Sequence, residues 1–250
     1  MKSKNKLLKT VAVAAAVLVW QVAAMLISAD FLFASPISVI KALYALLLSG
    51  EMWSSVLYSF VRISSGFLLG AAAGVLLGIA ASRSKILETL LWPYMLTVKT
   101  VPVASFIVIA LIWLSSSMLS VFIAFLMVLP IIYNNILNGI KSTDRKMTEM
   151  ADVFALSQGK RFLYISLPAV KPFLCSACQT AIGFAFKSGI AAEIIGIPNG
   201  SLGERLYSAK VHLETANLFA WTVLIVLLCV LFEKLFIFLL DKAFAEVEKH

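Results

Sequence analysis

Ser55 to Ala81 read SVLYSFVRISSGFLLGAAAGVLLGIAA, with a single charged side chain, Arg62, and glycines at 66, 70, 74 and 78. A run this long and this apolar meets the roughly 20 residues needed to cross about 30 Å of hydrocarbon as a helix. Backbone polar groups in lipid must be satisfied within the segment, so continuous spans of this kind are helices. Runs of the same character recur along the chain and predict six spans, at about 10–29, 55–81, 94–114, 118–139, 173–194 and 216–240. The fold class is therefore an all-α, polytopic membrane protein, read as one transmembrane domain over residues 1–250. Composition agrees: 61% of the 250 residues are hydrophobic and 14% charged, where soluble domains carry about 25% charge.

Gly66, Gly70, Gly74 and Gly78 stand four apart, so on a helix they form one face without side chains. In lipid such a face lets two helix backbones approach closely. The partner is either another span of this chain or a second copy of it.

The formal net charge is +8, but the basic residues cluster at span ends rather than on one soluble face, which argues against a nucleic-acid partner. Lys2, Lys4, Lys6 and Lys9 precede an apolar run that is longer than the usual 7–15-residue core of a secretory signal, so a first span with a cytoplasmic amino terminus is expected. With that orientation, fourteen of the 21 lysines and arginines fall in the cytoplasmic pieces 1–9, 82–93, 140–172 and 241–250, and three in the outer ones. This bias sets the topology. It places both termini and the 140–172 segment in the cytoplasm of a multi-pass protein of the cell (inner or plasma) membrane. Span three is interrupted by Lys99 and Pro102, and a kink is expected at the proline. Outside, Ser35-Pro36 predicts the start of a short interfacial helix.

The segment between spans four and five is the polar interruption. Ser142, Thr143 or Asp144 can cap a helix, and Met147, Met150, Ala151 and Phe154 then recur at i, i+3, i+4 and i+7. Ser157-Gln158-Gly159 reads as a break, Lys160 to Ile165 as a second short helix, and Pro168 and Pro172 as brackets of the turn into span five. Physically this is an amphipathic helix that lays its stripe either into a partner's groove or onto its own protein.

Glu149-Met150-Ala151-Asp152, then Gly159, then Ile165-Ser166-Leu167-Pro168 resembles the "EAA" loop of the permease subunits of ABC importers. From about 59 to 240 the chain is similar to the nitrate/sulfonate/taurine branch of these binding-protein-dependent permeases. Ser59-Phe60-Val61-Arg62 ahead of the spaced glycines, Val101-Pro102, and Ala192-Glu193-Ile194-Ile195-Gly196 followed by Asn199-Gly200 and Leu202-Gly203 carry that likeness. The resemblance implies that Glu149, Met150, Ala151, Asp152, Phe154, Gly159, Leu167 and Pro168 couple the chain to a cytoplasmic ATPase. It further implies an extracytoplasmic solute-binding protein, pairing as a homodimer around one pathway, and alternating access driven by ATP and magnesium held on the partner subunit. No cofactor is expected on this chain. The loop departs from the family in reading Glu-Met-Ala for Glu-Ala-Ala, and Lys187 stands where an apolar or aromatic residue is usual. The implied cargo is a small anion such as a sulfonate, taurine or nitrate; a pyrimidine-type vitamin precursor is the alternative in the same family.

Ionisable residues inside spans are costly and usually face an interior or an aqueous path. Arg62 and Lys99 lie within reach of span ends. Lys187 sits about fourteen residues into span five, roughly 21 Å along it at 1.5 Å per residue; it either attracts an anion or pairs with a carboxylate. Glu193 is six residues further and does not share its face. Asn134 and Asn138 share a face of span four, for interhelical hydrogen bonds or for lining the pathway exit. Lys187, Glu193, Asn134 and Asn138 are the candidate pathway residues. The outer stretch 193–215 reads as a turn and a polar surface.

Catalytic chemistry is not evident. The two histidines, His212 and His250, are isolated, and there is no HExxH, no glycine loop with a lysine for phosphate, and no Ser/His/Asp set. Cys175, Cys178 and Cys229 lie in apolar runs, so the CxxC spacing of the first two has no metal or redox context. No metal site and no enzymatic function are expected. A gradient-driven secondary transporter is the rival from another class.

Overall fold

In the computed structural model, which describes residues 2–27 and 33–247, the glycine face decides how the helices are arranged. The helices are α1 (Lys2–Ile27), α2 (Pro36–Leu47), α3 (Gly50–Arg83), α4 (Lys85–Thr100), α5 (Val103–Ala110) and α6 (Ser116–Lys141). There follow α7 (Arg145–Val153), α8 (Gln158–Arg161), a π-helical turn Phe162–Ser166, α9 (Leu167–Gly196), α10 (Leu202–Val211) and α11 (Thr215–Val247). Residues 28–29 of the expected first span, Lys249 and His250 lie outside the described residues.

The chain divides into two compact units, Ser59–Gly196 with Leu228–His250, and Met1–Tyr58 with Ile197–Leu227. In the first of these, α6 is the central helix. A Cβ at Gly66 would meet the carbonyl oxygen of Val121, and one at Gly70, Gly74 or Gly78 would come within 2.8–2.9 Å of Phe125 O, Ile132 Cβ or Ile136 Cβ. The stripe of α3 thus lies on α6 within the same chain. Both partners advance together, from Gly66 beside Ala124 to Gly78 beside Ile136, so α3 and α6 are parallel. Against α9 the order reverses. Ser59 meets Glu193 and Ile63 meets Gly189, so α9 runs antiparallel to α3. The later part of α11 is fixed by edge-to-face rings, Phe232 on Phe60 and Phe67 at 5.4 and 5.7 Å between centroids.

Parallel α3 and α6 also settle what lies between them. The chain leaves α3 at one end and must enter α6 at the other, so α4 and α5 together carry it back across. They are two helices bent by 101° rather than one kinked span. The cause is local: Pro102 disfavours a helical residue before it, Val101 is extended at φ −73°, ψ 134°, and α5 restarts at Val103. Beyond the break, α5 buries Ile107 and Ala110 against Leu119, Ile123 and Met127 of α6. The expected kink is therefore a full break, and the crossing starts at Lys85 rather than at 94.

Besides this pair, α3, α6, α11 and the stretch Gly159–Gly196 are long and apolar enough to cross a membrane, and α1 has a shorter apolar part, Ala14–Leu26. Those elements are compatible with six spans. Span five differs from expectation at its start: Leu167 opens α9 and Pro172 lies inside it, so the prolines sit in its first turns instead of bracketing a bend.

In the second unit, Trp20 donates to Ala34 O at 3.1 Å and packs its ring on Phe33 and Phe219. Ser35 caps α2 by accepting from Ser38 N at 3.2 Å, at the helix start that Ser35-Pro36 predicts. The outer stretch read as a turn contains α10, capped by Ser201, whose side chain accepts from Glu204 N at 3.0 Å. Arg205 of α10 reaches Glu51 at 3.2 Å and Ser55 Oγ at 3.3 Å.

Candidate functional site

The segment between α6 and α9 builds an elbow. Asp144 caps α7 by accepting from Lys146 N at 2.9 Å. The helix ends where Ala155 turns left-handed, at φ 48°. Leu156 N then bonds Ala151 O and Ala155 N bonds Asp152 O, both at 3.0 Å. This is the pair of bonds that closes a helix in a Schellman motif, here with alanine where glycine is usual. The break therefore falls at 154–157, not at Gly159, which lies in α8 with nothing within 4 Å of where a Cβ would be. The second short helix is correspondingly α8 followed by the π-helical turn.

Across the elbow, Arg161 donates to Asp152 at 2.7 Å. Both side chains are partly exposed, and pairs of that kind contribute at most about 1 kcal/mol. Ala151 is buried at 2% exposure, whereas Val153 is 82% exposed. The stripe read from the sequence thus divides. Ala151 turns inward, and Met147, Met150 and Phe154 are exposed together with Val153, which the i, i+3, i+4, i+7 count omits. Glu149 and Asp152 are exposed beside them, Pro168 is exposed and Leu167 half-buried at the head of α9. What results is an apolar face edged by carboxylates on a short, capped helix. Chemically it can dock.

The candidate pathway residues do not converge. Glu193 is fully buried at 0% exposure and accepts a 2.7 Å hydrogen bond from Ser59 Oγ. Ser59 is itself fully buried. The sequence gives no hint of this pairing, because a serine in an apolar run does not announce its partner. Lys187 is exposed on α9 and makes no ion pair among the described residues. Asn134 donates to Pro130 O one turn back. Asn134 and Asn138 open, with Lys99, into a cavity of about 210 Å³ between α4 and α6. No group of three or more metal-binding side chains occurs among the described residues.

Comparison with known proteins accords with this arrangement. Residues 66–246 match the family described as "Binding-protein-dependent transport system inner membrane component". A protein named as a putative aliphatic sulfonates transport permease, SsuC, of Bacillus subtilis (strain 168) is 31% identical over 206 residues, 81% of this chain and 74% of that one. The SsuC of Escherichia coli (strain K12) is 30% identical over 202 residues, 80% of this chain and 76% of its own. The nitrate import permease protein NrtB of Leptolyngbya laminosa is 28% identical over 189 residues, 71% of this chain and 66% of its own. An all-α, multi-pass chain matched by the family over this much of its length belongs to the binding-protein-dependent transport system inner membrane components, the permease subunits of ABC importers.

Proposed function

We propose that this permease carries a small oxoanion of the sulfonate or nitrate class, paired as a homodimer around one pathway and driven by separate ATPase subunits. The exposed apolar face of α7, Met147, Met150, Val153 and Phe154, is the observation that carries the coupling part of this reading. Two capped ends and a short ion pair hold that face in one orientation, which is what a lever needs. The names of the sulfonate and nitrate relatives support the cargo class. Lys187, exposed on α9 and without an ion pair among the described residues, is compatible with an anion in the path.

ATP and magnesium bind on the ATPases. Their closure moves α7, and the elbow passes the motion through Leu167 and Pro168 into α9, opening the path to a loaded solute-binding protein outside. A cycle of this kind requires loop and ATPase to make different contacts in the two states. The abundance of lysine and arginine at the loop end supports a cytoplasmic position for α7 and both termini.

The test is purification of tagged chain from its membrane, with and without Glu149→Ala or Gly159→Asp, followed by ATPase assay and uptake in vesicles. Open space at Gly159 lets the aspartate fold, so that variant reads docking and not stability. The expected result is a co-purifying ATPase with the wild type, and in the variants an inserted protein whose hydrolysis no longer drives uptake. Normal uptake in both variants would remove α7 and α8 from the coupling role.

A further inference from the structure

The cavity between α4 and α6 has a chemistry of its own. Glu88 and Lys141 close one side of it with a 2.7 Å ion pair and so neutralise each other. Lys99, about three turns further along α4, has no ion pair among the described residues. The lining therefore carries one uncompensated positive charge. Tyr133 is only 2% exposed, yet it lines the cavity and makes no hydrogen bond among the described residues. Its hydroxyl is not among the enclosed polar atoms that lack a partner, so it opens onto the cavity and can donate into it. Asn138, exposed further along the same helix, also lines the cavity.

The volume, about 210 Å³, is below the roughly 300–1,000 Å³ of sites for drug-sized ligands and suits an ion of few heavy atoms. One cation, a phenol and a carboxamide, all able to donate, suit a monovalent oxoanion.

The geometry points to a binding site for a small monovalent oxoanion, such as a sulfonate or nitrate, formed on this chain by Lys99, Tyr133 and Asn138. The inference rests on the cargo class proposed above. It adds a place for the anion at the end of the helix bundle that carries the α7–α8 elbow, apart from Lys187. There the ion is held after crossing. The Glu88–Lys141 pair holds a second cation in reserve, which keeps the site at a single positive charge and so selects against dianions.

The experiment measures equilibrium binding of labelled methanesulfonate to the purified permease–ATPase complex in phosphatidylcholine nanodiscs, without ATP or binding protein. Lys99→Gln is expected to weaken binding at least roughly tenfold, and Lys99→Arg to keep it within about threefold. Glu88→Gln releases Lys141, so it tightens methanesulfonate and lets sulfate compete, an outcome that a purely structural role for Glu88 does not produce. Lys210→Gln, in the other unit, is the control and leaves affinity unchanged. Undiminished binding in Lys99→Gln overturns the site; if that variant does not fold, failure of Glu88→Gln to admit sulfate overturns it. Adding phosphatidylglycerol leaves the affinity unchanged if the ligand is a free anion. Displacement by it would hand the cavity to a lipid headgroup and overturn the assignment. ATP-driven uptake of methanesulfonate is scored with the same complex in vesicles together with a binding protein, so uptake without equilibrium binding removes the site alone, and absence of uptake removes the cargo class.

Discussion

Ala155 shows how far single residues are legible in the sequence. Gly159 is the natural choice for the break, because glycine tolerates a left-handed backbone. The structure puts that backbone at Ala155 instead, since the turn follows from where Asp144 caps α7 and how long the helix runs. A left-handed L-residue costs about 1–2 kcal/mol. Ala155→Gly is therefore expected to stabilise the elbow by about 1 kcal/mol, read as slower amide exchange over 151–157. Faster exchange would show that the alanine is not left-handed. The burial of Ala151 and the Ser59 to Glu193 hydrogen bond are equally invisible in sequence, because both depend on what another part of the fold presents. By contrast Asp144 as the cap of α7 and Ser35 as the cap of α2 can be read directly, being settled by neighbours within three residues.

Among the elements, helices are legible wherever apolar length decides them, and their ends wherever a cap or proline does. The four-residue glycine spacing announces a close helix contact, but not with which helix. Two predictions separate contact from propensity. Gly70→Ala places a methyl 2.8 Å from Phe125 O and 2.9 Å from Val128 Cβ, so it should destabilise by about 1–3 kcal/mol, as overpacking does, and Gly70→Leu by more. Gly183→Ala, on α9 with nothing within 4 Å, should be neutral or stabilise by about 0.5–1 kcal/mol. Thermal unfolding in mild detergent measures both. Equal melting of the two alanine variants would mean that α3 does not touch α6 through this face. Pro102 is readable as a disturbance, but its consequence is not. Whether a proline kinks a helix or ends it depends on whether the following segment finds a better place, and α5 finds one against α6 and α9 through Ile107 and Ala110.

For the molecule as a whole, the all-α membrane class follows from hydropathy alone, and the family from motifs in the right order. The side on which each loop lies rests on the lysine and arginine bias, and two glycines offer a clean way to measure it. Gly50 and Gly159 both have nothing within 4 Å of where a Cβ would stand. With the three native cysteines replaced, Gly50→Cys should react with an impermeant maleimide in intact cells, and Gly159→Cys only after the membrane is opened. The reverse pattern would invert the topology. The α3–α6 contact has one more consequence. Its four contacts repeat every four residues with the same offset, Gly66 to Ala124 through Gly78 to Ile136, like the teeth of a rack. A tooth seated between backbone atoms cannot slip by a fraction of its pitch. The next position in which the teeth mesh is about one helical turn, 5.4 Å, away. Two helices meshed in this way swing as one blade, and the breaks in the chain nearest to it are Val101-Pro102 and the elbow.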